Sequence, residues 1–487
     1  MPTTAAAILG PDGQLAQLMP AYKSRAQQMA IAQLIEEGLA AKQHVVVEAP
    51  TGVGKSLAYL IPLVRHALAG NAPVVVSTAT IALQEQLIGK DIPLVQRLFP
   101  ELNAVLVKGR SNYVSLRRLA VAQREQQRLF DGAADRDWLR DLVTWSGETE
   151  TGDRSELGHE PPAAVWRAVQ SDRNNCQGRR CPHYEECHFY RARSALEGAH
   201  LLVVNHHLYL SDLALRDDHA GILPPHRVVV FDEAHSLEDI ATDYLGAGVS
   251  AAQVRHLLDG LWSRKGKGLL ADERHDAARV AVDAAHAAAE RFWDEVVRLV
   301  GDGADDKVRL GPGAVEDVLS PTLDAVGAAL AERAGAEPDE NARMELKAQQ
   351  AQCAAVAGTI RALLTQGDAA QVYFATAPRG RGAPALSCSP LSVADQLKEN
   401  LFSQLDTAVL TSATLAADDS DRFLFLRRRL GLEGGLAKRL DSPFDYAQQA
   451  TLILNRAALD PSSAAYERAL AHWLGAWLPG FMVLTTK

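Results

Sequence analysis

Apolar runs of strand length recur along this chain, and each stops at small, hydroxyl-bearing or acidic residues. Val45-Val46-Val47 leads into Glu48-Ala49-Pro50, and Val74-Val75-Val76 into Ser77-Thr78-Ala79-Thr80. Val228-Val229-Val230-Phe231 leads into Asp232-Glu233-Ala234-His235, and Ala408-Val409-Leu410 into Thr411-Ser412-Ala413-Thr414. A continuous apolar run, rather than an alternating one, predicts a parallel strand covered on both faces. A polar ending places the following loop at the ligand edge of such a sheet. Between the runs the period lengthens. Met29, Ile31, Leu34, Ile35 and Leu39 follow a helical spacing behind Arg25 and Gln28, and Leu57 to His66 reads as a helix. Strands alternating with helices predict a doubly wound α/β fold.

Two stretches interrupt this rhythm. Residues from about Lys108 to Gly198 carry cysteines and arginines. Residues from about Ala251 to Gln371 are rich in Ala, Leu, Arg, Asp and Glu, and Val280 to Val300 and Ala342 to Leu364 read as helices. Gly301 to Gly313 reads as a Gly/Asp linker. Gln371 to Ser389 reads as a β-hairpin turning at Pro378 to Gly382 and returning the chain to the first domain. Cys353 lies on an apolar helical face and is expected in a core.

The strand endings carry chemistry. The segment Thr51-Gly52-Val53-Gly54-Lys55-Ser56 is a phosphate-binding loop. Gly52 and Gly54 let several N–H groups point at one anion. Lys55 supplies charge for the β- and γ-phosphates, and the Ser56 hydroxyl can ligate magnesium. The pattern departs from the usual one at Ala49, where a glycine is normal. Asp232 can reach the same magnesium ion, and Glu233 can orient or deprotonate an attacking water. Gln28 could read an adenine edge; the plainer reading is a surface glutamine. The hydroxyls after Val76 suit phosphodiester contacts.

The cysteine stretch holds Cys176, Cys181 and Cys187. Their spacing is looser than the paired cysteines of common zinc sites and suits an iron–sulfur cluster, which takes four thiolates. Three unrelated cysteines is the competing reading. Lys108, Arg110, Arg117, Arg118, Arg124 and Arg128 precede them, and Arg173, Arg179, Arg180, Arg191 and Arg193 flank them. Tyr113 and Tyr184 interleave with these charges. That combination predicts a groove for single-stranded nucleic acid, against the alternative of a solvated helix face.

Length and charge set limits. A chain of 487 residues is expected to hold several domains, and 47% hydrophobic residues supply their cores. A net charge of −10 argues against a uniformly basic nucleic-acid binder, so any such contact must be local. The first ten residues do not read as a signal peptide, and no apolar run is long enough to span a membrane. Five cysteines beside a nucleotide site predict a reducing setting, the cytosol.

Taken together, Asp232-Glu233-Ala234-His235, the loop at Lys55, Ser412-Ala413-Thr414 and the cysteine stretch resemble the iron–sulfur DEAH-box helicases of the XPD/DinG group, above all its bacterial YoaA-like branch. Supporting runs are Gly10 to Ala16, Lys108 to Tyr113, Val203 to Leu208, Pro390 to Asp395 and Ser442 to Tyr446. The resemblance implies a RecA-like P-loop NTPase fold of helicase superfamily 2. Its first motor domain would occupy 1–107, 199–250 and 371–441. An iron–sulfur domain would occupy 108–198, a helical arch 251–370, and the start of a second RecA-like domain 442–487. It implies ATP and Mg2+ as cofactors with a [4Fe-4S] cluster, single-stranded and forked DNA as partner, and ATP-driven 5′-to-3′ translocation and unwinding in DNA repair. It further implies a monomer in the bacterial cytosol or nucleoid, with a replication or repair protein as possible partner and no membrane. Gln28 would sit at the adenine, with Arg25 also in the nucleotide site, Thr51 to Ser56 on the phosphates, and Ser56 and Asp232 on magnesium. Glu233 would be the base. His235, Ser412 and Thr414 would couple hydrolysis to DNA.

Two departures from the family pattern stand out. The position of its first cluster cysteine is Ser115 here, and a serine oxygen is a harder and rarer iron ligand. Residues 442–487 are also fewer than the roughly 100–150 of a usual domain. Phe481 to Lys487 is expected as one inner strand of a second motor domain, with the arginines that close over the γ-phosphate expected beyond it. The alternative function is an ATP- and DNA-binding module or adaptor without motor activity. A metabolic P-loop kinase explains neither the cysteine stretch nor Ser412-Ala413-Thr414.

Overall fold

The computed structural model describes residues 4–477 apart from 71, 131, 174, 217–220, 273–274, 302–305, 378–381, 418–422, 450–459, 462 and 464. It divides into two compact units, Met1–Asp441 and Ser442–Lys487. Among the described residues the first unit has eleven strands. They are β1 (Val45–Glu48), β2 (Val74–Thr78), β3 (Ala104–Leu106), β4 (Leu201–Asn205), β5 (Val228–Asp232), β6 (Ala247–Ser250), β7 (Lys307–Arg309), β8 (Gln371–Thr376), β9 (Ala385–Pro390), β10 (Thr407–Ser412) and β11 (Leu436–Arg439).

Seven of them form one sheet in the order β11-β1-β10-β5-β2-β4-β3, and every pairing is parallel. The valine runs explain this. Along β1, Val45 and Val47 face one side with Ile31 and Ile35 of the helix Ala26–Ala41 and with Leu60 and Leu63 of the helix Lys55–Ala69. Val46 faces the other side with Val75, Leu202, Val229 and Leu410. Each such fully buried aliphatic side chain stabilises the fold by roughly 1.5–3 kcal/mol, so both faces need covering. The expected α/β fold is therefore present, and the four strands with polar endings, β1, β10, β5 and β2, are consecutive neighbours. Register pairs Glu48 of β1 with Ser412 of β10, and Thr411 of β10 with Asp232 of β5.

The two interruptions are packed lobes. In the first, the helices Leu116–Arg124, Ala133–Glu148 and Ala163–Val169 enclose Leu119, Leu139, Leu142, Val165 and Trp166. In the second, the helices Ala251–Leu261, Asp276–Val300, Ser320–Ala336 and Glu340–Thr365 share a core with an antiparallel sheet ordered β6-β9-β8-β7. Cys353 is fully buried there, and burial pushes its thiol up to about 12.

This second sheet changes the expected boundaries. The hairpin forms, pairing Gln371 with Pro390 through Thr376 with Ala385. It does not join the parallel sheet. Tyr373, Ala375 and Leu386 pack into the helical core instead, as does Val249 of β6. The reason is alternation: Tyr373 and Ala375 are buried while Val372 and Phe374 between them are half-buried, the signature of a one-sided antiparallel strand. Lys307–Arg309 pairs with this hairpin inside the stretch read as a linker. The hairpin turn at 378–381 lies outside the described residues.

In the second unit, Ser442 donates to the Tyr446 hydroxyl at 3.0 Å, and the helix Tyr466–Trp477 follows. The strand expected at Phe481 to Lys487 lies outside the described residues.

Candidate nucleotide site and cysteine lobe

Sheet register brings the candidate catalytic residues to one edge. After β1 the chain turns through Gly52 and Gly54, whose φ values of 81° and 86° lie in the left-handed region. A Cβ on Gly54 would fall 2.5 Å from the Gln28 amide nitrogen, so no side chain fits there. The helix Lys55–Ala69 starts at once, and its positive end faces the loop. Lys55 Nζ donates to the Ala49 carbonyl at 3.2 Å and lies 3.8 Å from Glu233 Oε1. Thr51 and Gly52 are exposed, whereas Val53 is buried and anchors the loop to the core.

Asp232 ends β5 almost fully buried. Its Oδ1 accepts from the Glu233 N–H at 3.1 Å, and its Oδ2 from the Tyr59 hydroxyl at 3.0 Å. Burial raises its carboxyl to about 6; the Glu233 charge adds to this, while Tyr59 and Lys55 oppose it. A cation placed beside Ser56 and Asp232 would reverse that shift. One carboxylate, one hydroxyl and substrate phosphates are the donors that Mg2+ usually takes, so these residues fit it.

Glu233 adopts a left-handed backbone with φ 59°. That turn aims its side chain back at β10. Ser412 donates to Glu233 Oε2 at 2.7 Å, His235 Nδ1 lies 2.8 Å from Ser412 Oγ, and the same nitrogen lies 3.3 Å from Glu233 Oε2. Lys55, Glu233, Ser412 and His235 thus form one continuous chain of contacts. Thr414 reaches it only through its backbone N–H, 3.4 Å from Ser412 Oγ, and its side chain is exposed.

Gln28 is not the surface glutamine of the plainer reading. It is buried, accepts from the Tyr22 hydroxyl and donates to the Gly54 carbonyl at 3.0 Å. In this arrangement it braces the phosphate loop. Arg25 stands at the start of the same helix, within 3.9 Å of where a Gly54 Cβ would be.

Three further residues belong to the edge. Buried Glu48 accepts from the N–H groups of Leu415 and Ala416, the latter at 2.7 Å, and pairs with Arg439 at 3.0 Å. A carboxylate closing an apolar run was a legible signal for it. His206 lies 2.6 Å from Ser77 Oγ, and burial lowers its imidazole to about 4. Tyr59 reads in the sequence as an ordinary core aromatic, and nothing marks its hydroxyl.

Residues 24–126 match the DEAD/DEAH box helicase family, and residues 177–254 match the family DEAD_2. The ATP-dependent DNA helicase YoaA of Escherichia coli is 32% identical over 490 residues, covering 95% of this chain and 71% of its own. The chain belongs to the YoaA/DinG family of ATP-dependent DNA helicases. The ATP-dependent DNA helicase DinG of Photobacterium profundum is 30% identical over 514 residues, covering 94% of this chain and 72% of its own. The 3′-5′ exonuclease DinG of Bacillus subtilis is 27% identical, and this chain spans 52% of it. By family, the chain is an enzyme that uses ATP with Mg2+ and acts on DNA. No described helix is long and apolar enough to cross a membrane.

The cysteine lobe of this helicase is built differently. Cys176, Cys181 and Cys187 are each half-buried and lie close enough to influence one another. Burial alone would raise the Cys176 thiol, but the Gly178 N–H, Arg110 and the Tyr190 hydroxyl together hold it below its ordinary value. Burial raises Cys187, and the neighbouring thiols add to that. Ser115 caps the helix Leu116–Arg124, accepting from the Arg118 N–H at 3.4 Å. Among the described residues, no three His, Cys, Asp or Glu side chains converge on a point where they could hold a metal ion. The donors as arranged do not form the cage a cluster needs.

Some of the lobe's cations are engaged, while Arg124, Arg173, Arg179, Arg180 and Arg191 are exposed and Arg193 stacks on Phe189. Arg117 is buried, and donates to Asn341 Oδ1 at 2.9 Å and to the Asn175 carbonyl at 2.7 Å. Arg118 donates to the Gln170 carbonyl at 2.7 Å and faces Glu345 at 3.8 Å. Arg110 lies 3.7 Å over the Phe189 ring, and Lys108 pairs with Asp153 at 2.5 Å. Tyr113 is buried, and Tyr184 packs on Tyr190 at 4.7 Å. Arg117 and Arg118 thus pin the lobe to the helix Glu340–Thr365 and also line the cavity between the two lobes, while buried Tyr113 packs edge-on against Phe189. The side chain of Arg128 lies outside the described residues. A cavity of about 1330 Å³ opens between the two lobes, and its walls mix Arg124, Arg167, Arg255 and Lys265 with Asp259, Glu290 and Glu345.

Proposed function

We propose that this chain couples ATP hydrolysis at the Lys55–Glu233 edge to movement along single-stranded DNA. The observation that carries this reading is the unbroken contact chain from Lys55 through Glu233 and Ser412 to His235. A phosphate that draws Lys55 away from Glu233 would free that carboxylate to take a proton from water. The loss of charge at Glu233 would then loosen Ser412 and His235, which sit on a neighbouring strand and turn. Thr51 to Ser56 would bind the phosphates, and Ser56 and Asp232 would hold Mg2+, which neutralises charge on the transferring phosphate. Arg25 and Gln28 would lie at the nucleobase, with Gln28 releasing Gly54 or Tyr22 to do so. Thr414, exposed beside Ser412, would face DNA.

For the strand path we propose the cavity between the lobes, lined by exposed Arg124, Arg167, Arg255 and Lys265. The 5′-to-3′ direction, forked substrates, a role in DNA repair with a replication or repair partner, a monomeric state and the cytosolic setting follow the family resemblance. Binding of a [4Fe-4S] cluster would require the three thiols to draw together, with Ser115 leaving its cap, so no step is assigned to it. The test is ATP-dependent displacement of a strand from a 5′-tailed fork, with Glu233→Gln as the control. Binding of ATP and DNA without displacement would favour the module reading.

A further inference from the structure

We propose that Tyr59 is a positioning residue that fixes the Asp232 carboxylate for the metal; this rests on Asp232 being a magnesium ligand. Tyr59 lies fully buried on the helix Lys55–Ala69, and its hydroxyl donates to Asp232 Oδ2 at 3.0 Å. It follows Ser56 by three residues and Lys55 by four, so all three side chains share one helix face. The phosphate loop and the carboxylate strand are thereby joined beneath the site. Each Asp232 oxygen has one fixed partner, Tyr59 on Oδ2 and the Glu233 N–H on Oδ1 at 3.1 Å. The carboxylate plane cannot turn without breaking one of these bonds. Each oxygen keeps lone pairs for a cation.

The ring of Tyr59 packs among Val47, Val76 and Val230 of the sheet. A phenylalanine would fill that space equally well. What the hydroxyl adds is a direction for Asp232. A group that orients a metal-ligating carboxylate typically changes metal affinity about 10- to 100-fold.

The experiment uses the full chain with a non-hydrolysable ATP analogue and Mn2+, whose bound fraction is read by electron paramagnetic resonance. Tyr59→Phe should weaken Mn2+ binding about tenfold. Its affinity for the analogue without metal should be unchanged, and circular dichroism should report wild-type secondary structure. Asp232→Asn should weaken Mn2+ at least as much. Adding Tyr59→Phe to Asp232→Asn should then cost well under its tenfold effect in the wild type, because the hydroxyl acts chiefly through that carboxylate, with Ser56 its other neighbour. Wild-type Mn2+ affinity in Tyr59→Phe, or a full extra loss in the double variant, would overturn the proposal and leave the metal site standing. Wild-type affinity in Asp232→Asn would remove the metal site and the proposal with it.

Discussion

The nucleotide edge and the cysteine lobe are equally rich in motif residues, yet they hold them by different means. At the edge, functional groups sit on strand ends, and parallel register sets their spacing: Glu48 beside Ser412, Thr411 beside Asp232, Thr78 beside Asp232. Around them Glu233, Ser412 and His235 turn their side chains toward one another. In the lobe, the groups sit on turns and helix starts. Arg110 and Lys108 satisfy neighbours inside the lobe, and Arg117 and Arg118 bond both within it and to the adjoining helix Glu340–Thr365. A sheet delivers chemistry as a by-product of its own packing. A lobe of short helices and turns must use many of its polar groups to hold itself together.

The most severe way to break this comparison is at Glu233. Glu233→Gln should lower single-turnover ATP hydrolysis about 10²–10⁴-fold, the usual worth of a positioned base, while nucleotide binding persists. Undiminished hydrolysis would detach the edge from catalysis. Lys55→Ala should weaken ATP about 10- to 100-fold in a calorimetric titration, as expected for a lost charge-assisted contact. Equal affinity in both proteins would refute the phosphate assignment.

On the lobe side, Arg117→Ala should destabilise the protein by about 1.5–3 kcal/mol, because Asn175 and Asn341 lose a buried charged donor. Denaturant unfolding measures this, and an unchanged midpoint would return Arg117 to the DNA-facing set. A finer distinction comes from salt. Arg124→Ala and Arg167→Ala should each flatten the salt dependence of single-strand binding by about one counterion, whereas Arg118→Ala should not. A flattened slope for Arg118 alone would reverse the assignment. The smallest signal is iron. Anaerobically purified protein should carry little, and Ser115→Cys should raise iron and visible absorption together. Full iron in the unaltered protein would mean that the thiols converge when loaded.

Legibility follows the same division. The valine runs and their polar endings showed the parallel sheet, the phosphate loop and the Asp232-Glu233 turn, because each is local in the chain. The contact of His235 with Ser412 joins residues far apart in sequence, and only the motif resemblance paired them. The surface reading of Gln28 failed because nothing local shows that Tyr22 and Gly54 occupy its amide. The bonds of Arg117 and Arg118 were illegible for a related reason: charge is visible in a sequence, but the partner that meets it is not. The hairpin at Gln371 to Pro390 was seen as an element, but its membership in the second sheet depended on β6 and β7, which are short and weakly patterned.

Glu233, at φ 59°, is held where only glycine, and to a lesser degree asparagine, rests comfortably, at a cost on the order of 1–2 kcal/mol. Selection for heat tolerance alone would therefore favour Asn or Gly at this position, and those winners should still bind ATP but hydrolyse it far more slowly. Any library sorted by thermal survival should be checked there first, since this is a place where endurance and work pull the sequence in opposite directions.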